Sequence, residues 1–340
     1  MRTAVVILNY NGLKFLKQFL STLIVECPND SEIIVADNNS SDGTVPWLRE
    51  NYPDLKIIQN RQNFGFAGGY NAALNQVDAK YFVILNSDIE VAPGWLTPLI
   101  DYMEQHPNVA ACQPKILSFS DRQYFEYAGA GGGFIDIFGF PFCRGRVFTT
   151  LETDSGQYND IKPVFWATGA CMVVRADYFR QAGGFDDFFF AHMEEIDLCW
   201  RFHRMGYEVM YIPHSKVFHI GGGTLPKNSP RKTFLNYRNN LSMLAKNLPA
   251  KLLVPVFLFR LFTDLLASGV FLFQSGLMHF ISVWRAYFSF LANLGKIMRS
   301  RKVFGRMHPF TIPSSVYRSS VLLAYFVSGK KKFSQLQPKK

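Results

Sequence analysis

The chain has 340 residues, of which 48% are hydrophobic and 18% charged, so it can bury a large core and is not expected to be disordered. From residue 246 onward lie 15 of the 36 Lys and Arg residues but one of the 26 acidic residues, and this basic tail is rich in Phe, Leu and Val, which favours a membrane surface over nucleic acid as its partner. Five scattered cysteines without a C-x-x-C pair, and an N-terminal apolar run too short for a signal peptide, predict a cytoplasmic protein.

Strands and helices alternate in the first 90 residues. Periodicity predicts buried strands at 4–8, 33–36, 55–58 and 81–85, and helices at 12–25 and 67–77. This alternation indicates βαβ units and an α/β fold with a mostly parallel sheet between helices. Such sheets bind ligands beyond the carboxyl ends of their strands. Those ends read Asn9-Tyr-Asn11, Asp37-Asn-Asn39 and Asn86-Ser-Asp88.

The middle of the chain is less regular. Glycines and aromatic residues at 129–142 predict a loop over the sheet. Further elements are predicted as strands at 164–174, 209–212 and 217–220 and as helices at 176–182, 194–205 and 230–248.

The sequence of the tail predicts apolar helices over residues 252–294. The window 261–281 is long enough to span a membrane but carries Asp264 and His279, and Pro255 and the charges interrupt any clean span of the region. Arg260 and Asp264 are spaced to pair on one helix face. We expect these helices to lie in or dip into the cytoplasmic leaflet, with a soluble helical subdomain, a dimer interface or a transmembrane hairpin as alternatives. Basic residues that follow are expected at anionic headgroups: Lys296, Arg299, Arg301, Lys302 and Arg306.

Two aspartates at strand ends are candidate ligands of a nucleotide. Asp37 can accept hydrogen bonds from a nucleobase or ribose, or it can cap a turn, a role that Asp42 or Ser41 would fill equally well. Asp88 can supply the carboxylate that a divalent cation needs beside substrate phosphates, although a single Asp after a strand is also a common turn residue.

The segment from Asn63 to Asn71 (NFGFAGGYN) combines glycines with the start of a helix. Its glycines, Gly65 and Gly69 among them, allow close approach to a ligand, and the helix start offers N–H groups to an anion. The alternative is a tight turn before a helix. The segment matches neither a dinucleotide fingerprint nor a P-loop.

Three carboxylates crowd the start of the helix predicted at 194–205. Arg201 is spaced to pair with Asp197, which leaves Glu194 and Glu195 for general-base chemistry, or for ordinary stabilisation of a helix start. Further along, His219 ends a strand and precedes Gly221-Gly-Gly223, whose glycines predict a mobile loop over a substrate.

Five of these segments, taken in order, resemble the family 2 inverting glycosyltransferases, most of all their bacterial rhamnosyltransferase-like branch. The segments are VVILNYNG from Val5, VADNNSSDGT from Val35, NFGFAGGYN from Asn63, LNSD from Leu85 and EEIDLCWR from Glu194. The resemblance covers residues 3–245, and the tail carries none of it.

This resemblance implies a GT-A fold, in which a Rossmann-like nucleotide half is fused to an acceptor half, and a Mg²⁺ or Mn²⁺ cofactor. Asp37 matches the aspartate that contacts the nucleotide base, and Asp88 matches the last residue of the D-x-D motif that holds the metal. Glu195 falls where many members have the Asp taken as the catalytic base. His219 resembles the histidine that completes the metal site in some members.

Two positions depart from the family pattern. Asn86 replaces the first carboxylate of D-x-D, which leaves an amide oxygen for ribose or metal, and the Glu-Glu pair keeps Glu194 as a second candidate base. The resemblance also implies donor-binding roles at the remaining polar and glycine positions. The full set expected to bind the nucleotide sugar is Asn9, Asp37, Asn63, Gly65, Gly69 and Asn86.

The expected function is transfer of a sugar from a nucleotide-diphosphate sugar to a hydroxyl of a glycan or lipid-linked glycan, in the assembly of cell-surface polysaccharide or glycolipid at the inner face of the plasma membrane. Residues 1–248 would form the GT-A domain and residues 249–340 a membrane-associating or oligomerising region. Two alternatives remain. A sugar nucleotidyltransferase would need a Gly-rich, Arg-containing loop after the first strand, and an inactive membrane-surface scaffold would explain both departures.

Overall fold

The computed structural model describes residues 2–221 and 229–336. The described strands are β1 (Thr3–Asn9), β2 (Ser31–Asp37), β3 (Lys56–Gln59), β4 (Tyr81–Asn86), β5 (Ile89–Val91), β6 (Val109–Ser118), β7 (Gly133–Asp136), β8 (Pro141–Cys143), β9 (Arg146–Val147), β10 (Thr150–Leu151), β11 (Lys162–Pro163), β12 (Cys171–Arg175), β13 (Glu208–His219) and β14 (Val316–Tyr317). The described α-helices are α1 (Leu13–Glu26), α2 (Thr44–Asn51), α3 (Gly65–Leu74), α4 (Thr97–Gln105), α5 (Ala176–Gln181), α6 (Glu194–Arg204), α7 (Pro230–Asn247), α8 (Ala250–Gln274), α9 (Leu277–Ala292), α10 (Leu294–Met307) and α11 (Val321–Phe326).

The main sheet has the predicted α/β architecture. Its strand order is β11-β13-β6-β12-β4-β1-β2-β3, and β5 pairs with β13. Strands β1 to β4 are mutually parallel, and β12 runs against its neighbours β4 and β6. Alternate residues of β1 enter different cores: Val5 and Ile7 face one layer of helices, whereas Ala4 and Val6 face the other. Burial on both faces explains the continuous apolar strands.

The prediction of a loop at 129–142 is wrong in part, because Gly133–Asp136 and Pro141–Cys143 form strands. Strands β7 and β8 belong to a second sheet of order β10-β9-β8-β7-β14. Asp136 closes the turn between β7 and β8 by accepting hydrogen bonds from the N–H groups of Phe138 and Phe140. The glycines suggested a loop, whereas β7, β8, β9 and β10 pair in sequence order as short antiparallel strands, and β14, the parallel partner of β7, lies far along the chain.

Two predicted boundaries also change. Only Cys171–Arg175 of the segment 164–174 joins the main sheet as an extended strand. The two short strands expected after residue 208 are one strand, β13, whose register against β6 is interrupted between Ile212 and Lys216. Pro213 lies in that interruption, where a proline is tolerated because no regular ladder hydrogen bond is lost.

The tail contains the expected apolar helices, with different limits. The window 261–281 is not one helix, because α8 ends at Gln274 and α9 begins after Gly276. Pro255 lies inside α8 and does not end it. Among the described residues α8 is the one helix long and apolar enough to cross a membrane, and 28% of its most apolar window is buried. Arg260 and Asp264 pair as expected, 3.2 Å apart.

The C-terminal segment also packs against the second sheet. β14 pairs in parallel with β7, and the ring of Phe333 lies 4.9 Å from that of Phe134. Residues after 249 therefore contribute to the core that begins in the first half of the chain. The domain boundary at residue 248 stays a prediction.

Candidate active site

The register of the parallel strands brings three predicted donor residues to one edge of the sheet. Asn9 is aligned with Asp37 across β1 and β2, and Leu8, next to Asn9, is aligned with Asn86 of β4. The carboxyl ends of these strands therefore form one polar edge, as the sequence predicts.

Asp37 is buried, and one of its two carboxylate oxygens lacks a hydrogen-bond partner. Its Oδ2 accepts a hydrogen bond from the backbone N–H of Ser40 at 3.0 Å, whereas its Oδ1 has no partner. Asp37 therefore holds the turn after β2 through one oxygen, and Asp42 accepts hydrogen bonds from the N–H groups of Leu13 and Thr44, the first residues of α1 and α2. Since a buried acceptor without a donor is costly, Oδ1 of Asp37 is suited to accept from a ligand.

Asn9 is fully buried below this edge. Its Nδ2 donates to the hydroxyls of Ser40 and Thr44, each at 3.2 Å. A Cβ at Gly12 would lie 2.4 Å from Oδ1 of Asn9, so glycine is required there. Asn9 thus joins the loops that follow β1 and β2.

A network of amides holds the Gly-rich turn against the same edge. Nδ2 of Asn38 donates to Oδ1 of Asn63 at 3.0 Å and to the carbonyl of Gly65 at 2.9 Å. Oδ1 of Asn38 accepts from Asn60 at 3.0 Å. A Cβ at Gly69 would approach a methyl carbon of Leu8 to 2.9 Å, so Gly69 permits the close packing of α3 on β1.

The prediction that the helix start in the Gly-rich segment offers free N–H groups is wrong. The N–H groups of Phe66 and Ala67 donate to the carbonyl of Phe190 at 2.6 and 3.2 Å. Gly65 has a positive φ of 73°, and a Cβ on it would lie 2.4 Å from that same carbonyl. The start of α3 is therefore occupied by the loop before α6, and it joins the donor edge to the acidic segment.

The second aspartate belongs to a buried Asp–His–Glu arrangement. Nε2 of His219 lies 3.2 Å from Oδ1 of Asp88, and Nδ1 of His219 lies 3.2 Å from Oε2 of Glu126. Burial opposes a charged imidazole, but the hydrogen bonds to both carboxylates outweigh it and raise the pKa of His219 to about 10. The sequence predicts Asp88 and His219, and the structure brings them together.

The pair can receive the expected cation, which would displace the proton that the two carboxylates keep on the His219 ring, as metal ions do when they bind histidine. In an octahedral site with bonds of about 2.1 Å, adjacent ligand atoms lie about 3 Å apart, which is close to the separation of the Asp88 oxygen and the His219 nitrogen. Glu126 holds the other ring nitrogen, as carboxylates behind metal-binding histidines do. No set of three or more His, Cys, Asp or Glu side chains in the described residues is arranged to hold a metal, so substrate oxygens or water would complete the coordination.

The loop before α6 is held in an unusual backbone conformation. Phe190, His192 and Met193 have positive φ values of 63°, 71° and 73°. Such angles are costly for residues with a Cβ and persist only where surrounding contacts enforce them. Nδ2 of Asn239 supplies such contacts from α7, because it donates to the carbonyls of Phe189, Ala191 and His192 at 2.7–2.9 Å.

The three carboxylates of α6 have different surroundings. Asp197 is fully buried and paired with Arg201 and Lys246, each at 2.9 Å, so it has a structural role, as the spacing predicts for Arg201. Glu194 and Glu195 each have an Oε2 that is buried and without a hydrogen bond. These two carboxylates remain available for chemistry.

Burial raises the pKa of both glutamates above that of an ordinary carboxylate. Burial and the charge of Glu195 raise the pKa of Glu194 well above its usual range. Burial raises the pKa of Glu195 to about 7. Since Glu195 ionises more readily of the two, it is the better proton acceptor near neutral pH.

One predicted element lies outside the described residues. Gly222 and Gly223, two of the three glycines expected to form a mobile loop over a substrate, fall in the gap between residues 221 and 229.

Residues 4–182, just over half of the chain, match the model of glycosyl transferase family 2. The chain belongs to this family. It is therefore a glycosyltransferase that takes its sugar from a nucleotide sugar, and the family inferred from the five motifs is confirmed.

Curated relatives cover most of the same region. The chain is 28% identical over 233 residues to the N-acetylglucosaminyl-diphospho-decaprenol L-rhamnosyltransferase of Mycobacterium tuberculosis, covering 63% of this chain and 75% of that protein. It is 26% identical over 208 residues to the low-salt glycan biosynthesis hexosyltransferase Agl10 of Haloferax volcanii, covering 59% of this chain and 61% of the relative.

Solved structures share the fold. GalNAc-T7, solved with UDP, GalNAc and Mn²⁺, gives a TM-score of 0.59 at 14% identity, covering 91% of this chain and 58% of that one. TarS of S. aureus gives a TM-score of 0.57 at 13% identity, covering 89% of this chain and 52% of that one. This chain thus spans little more than half of either protein. The GT-A fold predicted from the sequence is confirmed.

Sequence reasoning missed three residues that position the site. Glu126 follows an aromatic residue in a loop, and no spacing connects it to His219. Asn38 stood within a predicted motif but was not distinguished from its neighbours. Asn239 lies among other polar residues of its helix, between Arg238 and Asn240, so nothing in the sequence distinguished it.

Proposed function

We propose that this chain is an inverting glycosyltransferase that moves a sugar from a nucleotide-diphosphate sugar to a hydroxyl of a lipid-linked glycan. The observation that carries the proposal is the pair of glutamates at the start of α6, Glu194 and Glu195, each with a buried Oε2 that has no hydrogen bond, directly after the loop that is bonded to the start of α3. A single displacement needs one such base and no second nucleophile. The mycobacterial relative, named for a diphospho-decaprenol acceptor, supports a lipid-linked substrate.

On the donor side, Asp37 offers its unpaired Oδ1 to the nucleoside. Asn63 and Gly65 shape the wall beside it, and Asn86 extends the same edge. Asn9 and Gly69 act below the surface, where they hold the loops and α3 in position.

Asp88 and His219 are the residues that would hold Mg²⁺ or Mn²⁺. When bound, the cation would stabilise the negative charge that develops on the departing diphosphate. Glu126 fixes the ring of His219 from behind. Binding of Mn²⁺ by GalNAc-T7, which shares the fold, supports this cofactor.

On the acceptor side, Glu195 would take the proton from the attacking hydroxyl. Its raised pKa of about 7 makes it a stronger base than an ordinary carboxylate while leaving much of it ionised near neutral pH. Attack from the face opposite the leaving group then inverts the anomeric centre. Asn239 keeps the carboxylate in place through the preceding loop.

The exposed surface of α8 supports a location of the protein at the inner face of the plasma membrane. Its buried residues are largely polar, including Arg260, Asp264 and Ser268. Its exposed residues are large and apolar, with Phe262 at 61% and Phe273 at 88% exposure. A water-facing helix has the reverse pattern, so this face is suited to lipid. One basic residue expected at headgroups, Arg301, is instead buried and donates to the carbonyls of Ala245 and Leu248, so it is a structural residue.

The test is acceptor-dependent release of nucleoside diphosphate from UDP-, GDP- and dTDP-sugars with Mn²⁺, with isoprenoid-diphosphate N-acetylglucosamine as acceptor. We expect turnover with one donor and an inverted anomeric configuration in the product. Turnover with retained configuration would overturn the single displacement. Absence of turnover with every donor would favour the inactive scaffold.

A further inference from the structure

Positive charge is concentrated on an aromatic shelf, formed by the rings of Phe188 and Phe234, beside the loop before α6. The Arg238 guanidinium of α7 lies 4.5 Å from the ring centre of Phe188 and 5.3 Å from that of Phe234. The ammonium of Lys296, from α10, lies 5.5 Å from the Phe188 ring, and the guanidinium of Arg285, from α9, lies 5.9 Å from the Phe234 ring. Three helices thus bring three cations to two adjoining rings.

The outer two cations of this shelf have no acidic partner. Arg285 and Lys296 are exposed, and neither forms an ion pair with a carboxylate in residues 2–221 or 229–336. Asp186, near the same loop, is already paired with Lys246 at 2.7 Å. Arg238 is committed inward, because its Nη2 donates to two carbonyls of the loop. The shelf therefore presents uncompensated positive charge to solvent.

The shelf lies between the candidate base and the apolar helical surface. On one side, the carbonyls of Phe188 and Phe189 that Arg238 binds belong to the loop leading to Glu194. On the other side, Phe288 lies almost one turn after Arg285 on α9 and is 70% exposed. An amphiphile with an anionic head could thus contact the cations and the apolar surface at once.

We propose that Arg285 and Lys296 bind the diphosphate of an isoprenoid-diphosphate-linked acceptor, whose isoprenoid lies along the exposed apolar face of α8 and α9. The inference rests on the proposed function, because it identifies how that acceptor is held. Guanidinium and ammonium groups are the side chains that bind phosphate oxygens in proteins. The sugar joined to the diphosphate would then extend along the loop toward Glu194 and Glu195.

The experiment measures binding of farnesyl diphosphate to the full chain in neutral detergent, with EDTA present so that the Asp88–His219 pair holds no cation. The variant is Arg285→Glu with Lys296→Glu, and farnesol is the uncharged comparison ligand. We expect the dissociation constant for farnesyl diphosphate to rise at least about tenfold, as loss of a charge-assisted contact predicts, while farnesol binding is unchanged. Both residues are exposed, so the melting temperature should be unaltered.

The matched control is Arg299→Glu with Lys302→Glu, two exposed positions of α10 with the same change of charge. It should leave the affinity for farnesyl diphosphate near that of the parent chain. Equal weakening by the control would mean general surface attraction and would overturn the site, as would unchanged binding in the Arg285/Lys296 variant. Inorganic diphosphate that binds as tightly as farnesyl diphosphate would overturn the lipid part.

This binding measurement needs neither donor nor cation, so it gives its result whether or not transfer is observed. Failure of the diphosphate site with intact nucleotide release would leave the transferase proposal standing. Failure of nucleotide release with intact, variant-sensitive probe binding would overturn the proposed transfer and support the site.

Discussion

The polar edge at the ends of β1, β2 and β4 (the donor edge) and the loop before α6 (the acceptor loop) are stabilised by residues at different distances along the chain. At the donor edge, Asn9 bonds to Ser40 and Thr44, and Asp37 bonds to Ser40, all within the first two strands and the loops that follow them. The acceptor loop depends on Asn239, which lies 47–50 residues beyond the three carbonyls it binds.

This difference separates two kinds of structural support. The donor edge follows from strand register and short polar loops, which a parallel sheet imposes wherever the strands end. The acceptor loop is held in positive φ by α7, and Asn240 of α7 is in turn bonded to Arg260 of α8 at 2.8 Å. Changes in the helical region should therefore affect catalysis without affecting donor binding.

The largest expected effect separates the two sides directly. Glu195→Gln should lower kcat by about 10²–10⁴-fold and leave donor affinity unchanged, because the amide keeps the shape but accepts no proton. Nucleotide release gives kcat, and calorimetry with the donor gives affinity. Glu194→Gln is the matched control and should cause a much smaller loss. A reversed order would assign the base to Glu194.

The next prediction tests the remote support of the acceptor loop. Asp264→Asn should lower the free energy of unfolding by about 3–5 kcal/mol, because it leaves Arg260 buried without its countercharge. Leu265→Met, on the exposed side of the same helix, keeps the apolar surface and should change stability by less than about 0.5 kcal/mol. Denaturant titration in detergent measures both. Equal stability of the two variants would contradict a supporting role for the buried pair.

The cation prediction concerns the donor side alone. Asp88→Asn should weaken Mn²⁺ binding by more than about 100-fold, since loss of a mere supporting partner already costs about 10–100-fold. Glu126→Gln should fall within that smaller range, because it acts through His219. Paramagnetic resonance of Mn²⁺ titrated into the protein measures both. Undiminished Mn²⁺ binding by Asp88→Asn would remove the pair from the cation site.

If Asn239 positions Glu195, its replacement should lower kcat more than the replacement of an equally stabilising residue elsewhere. Asn239→Ala should lower kcat about 10–100-fold, because a displaced carboxylate loses its alignment, with donor affinity unchanged. Gln113→Ala removes comparable buried hydrogen bonds, to the carbonyls of Pro114 and Gly129 away from this loop, and should destabilise similarly with kcat preserved. Parallel losses of kcat in both variants would reduce Asn239 to a general packing residue.

The comparison also explains what the sequence could predict. Asp37, Asp88 and the Arg201–Asp197 pair are found by local spacing, since strand ends and helix turns place them. The contacts of Asn239 and Glu126, and the pairing of β14 with β7, depend on partners far along the chain, which no local pattern encodes. The other strands of the second sheet pair with their sequence neighbours, but they are only two to four residues long and lie among glycines. The start of α3 was misjudged for the same reason, because the carbonyl that occupies it belongs to Phe190.

The pH dependence of kcat is the most direct test that a buried acceptor-side carboxylate is the base. Burial raises the pKa of Glu195 to about 7. Of its titratable neighbours, Glu194 has a pKa raised well above its usual range by burial and by the charge of Glu195, and burial raises the pKa of the Cys199 thiol to about 12. Because the base acts only when deprotonated, kcat should be level above about pH 7 and fall about tenfold for each unit below it. A kcat that stays constant from about pH 5 to pH 8 would contradict the assignment of Glu195.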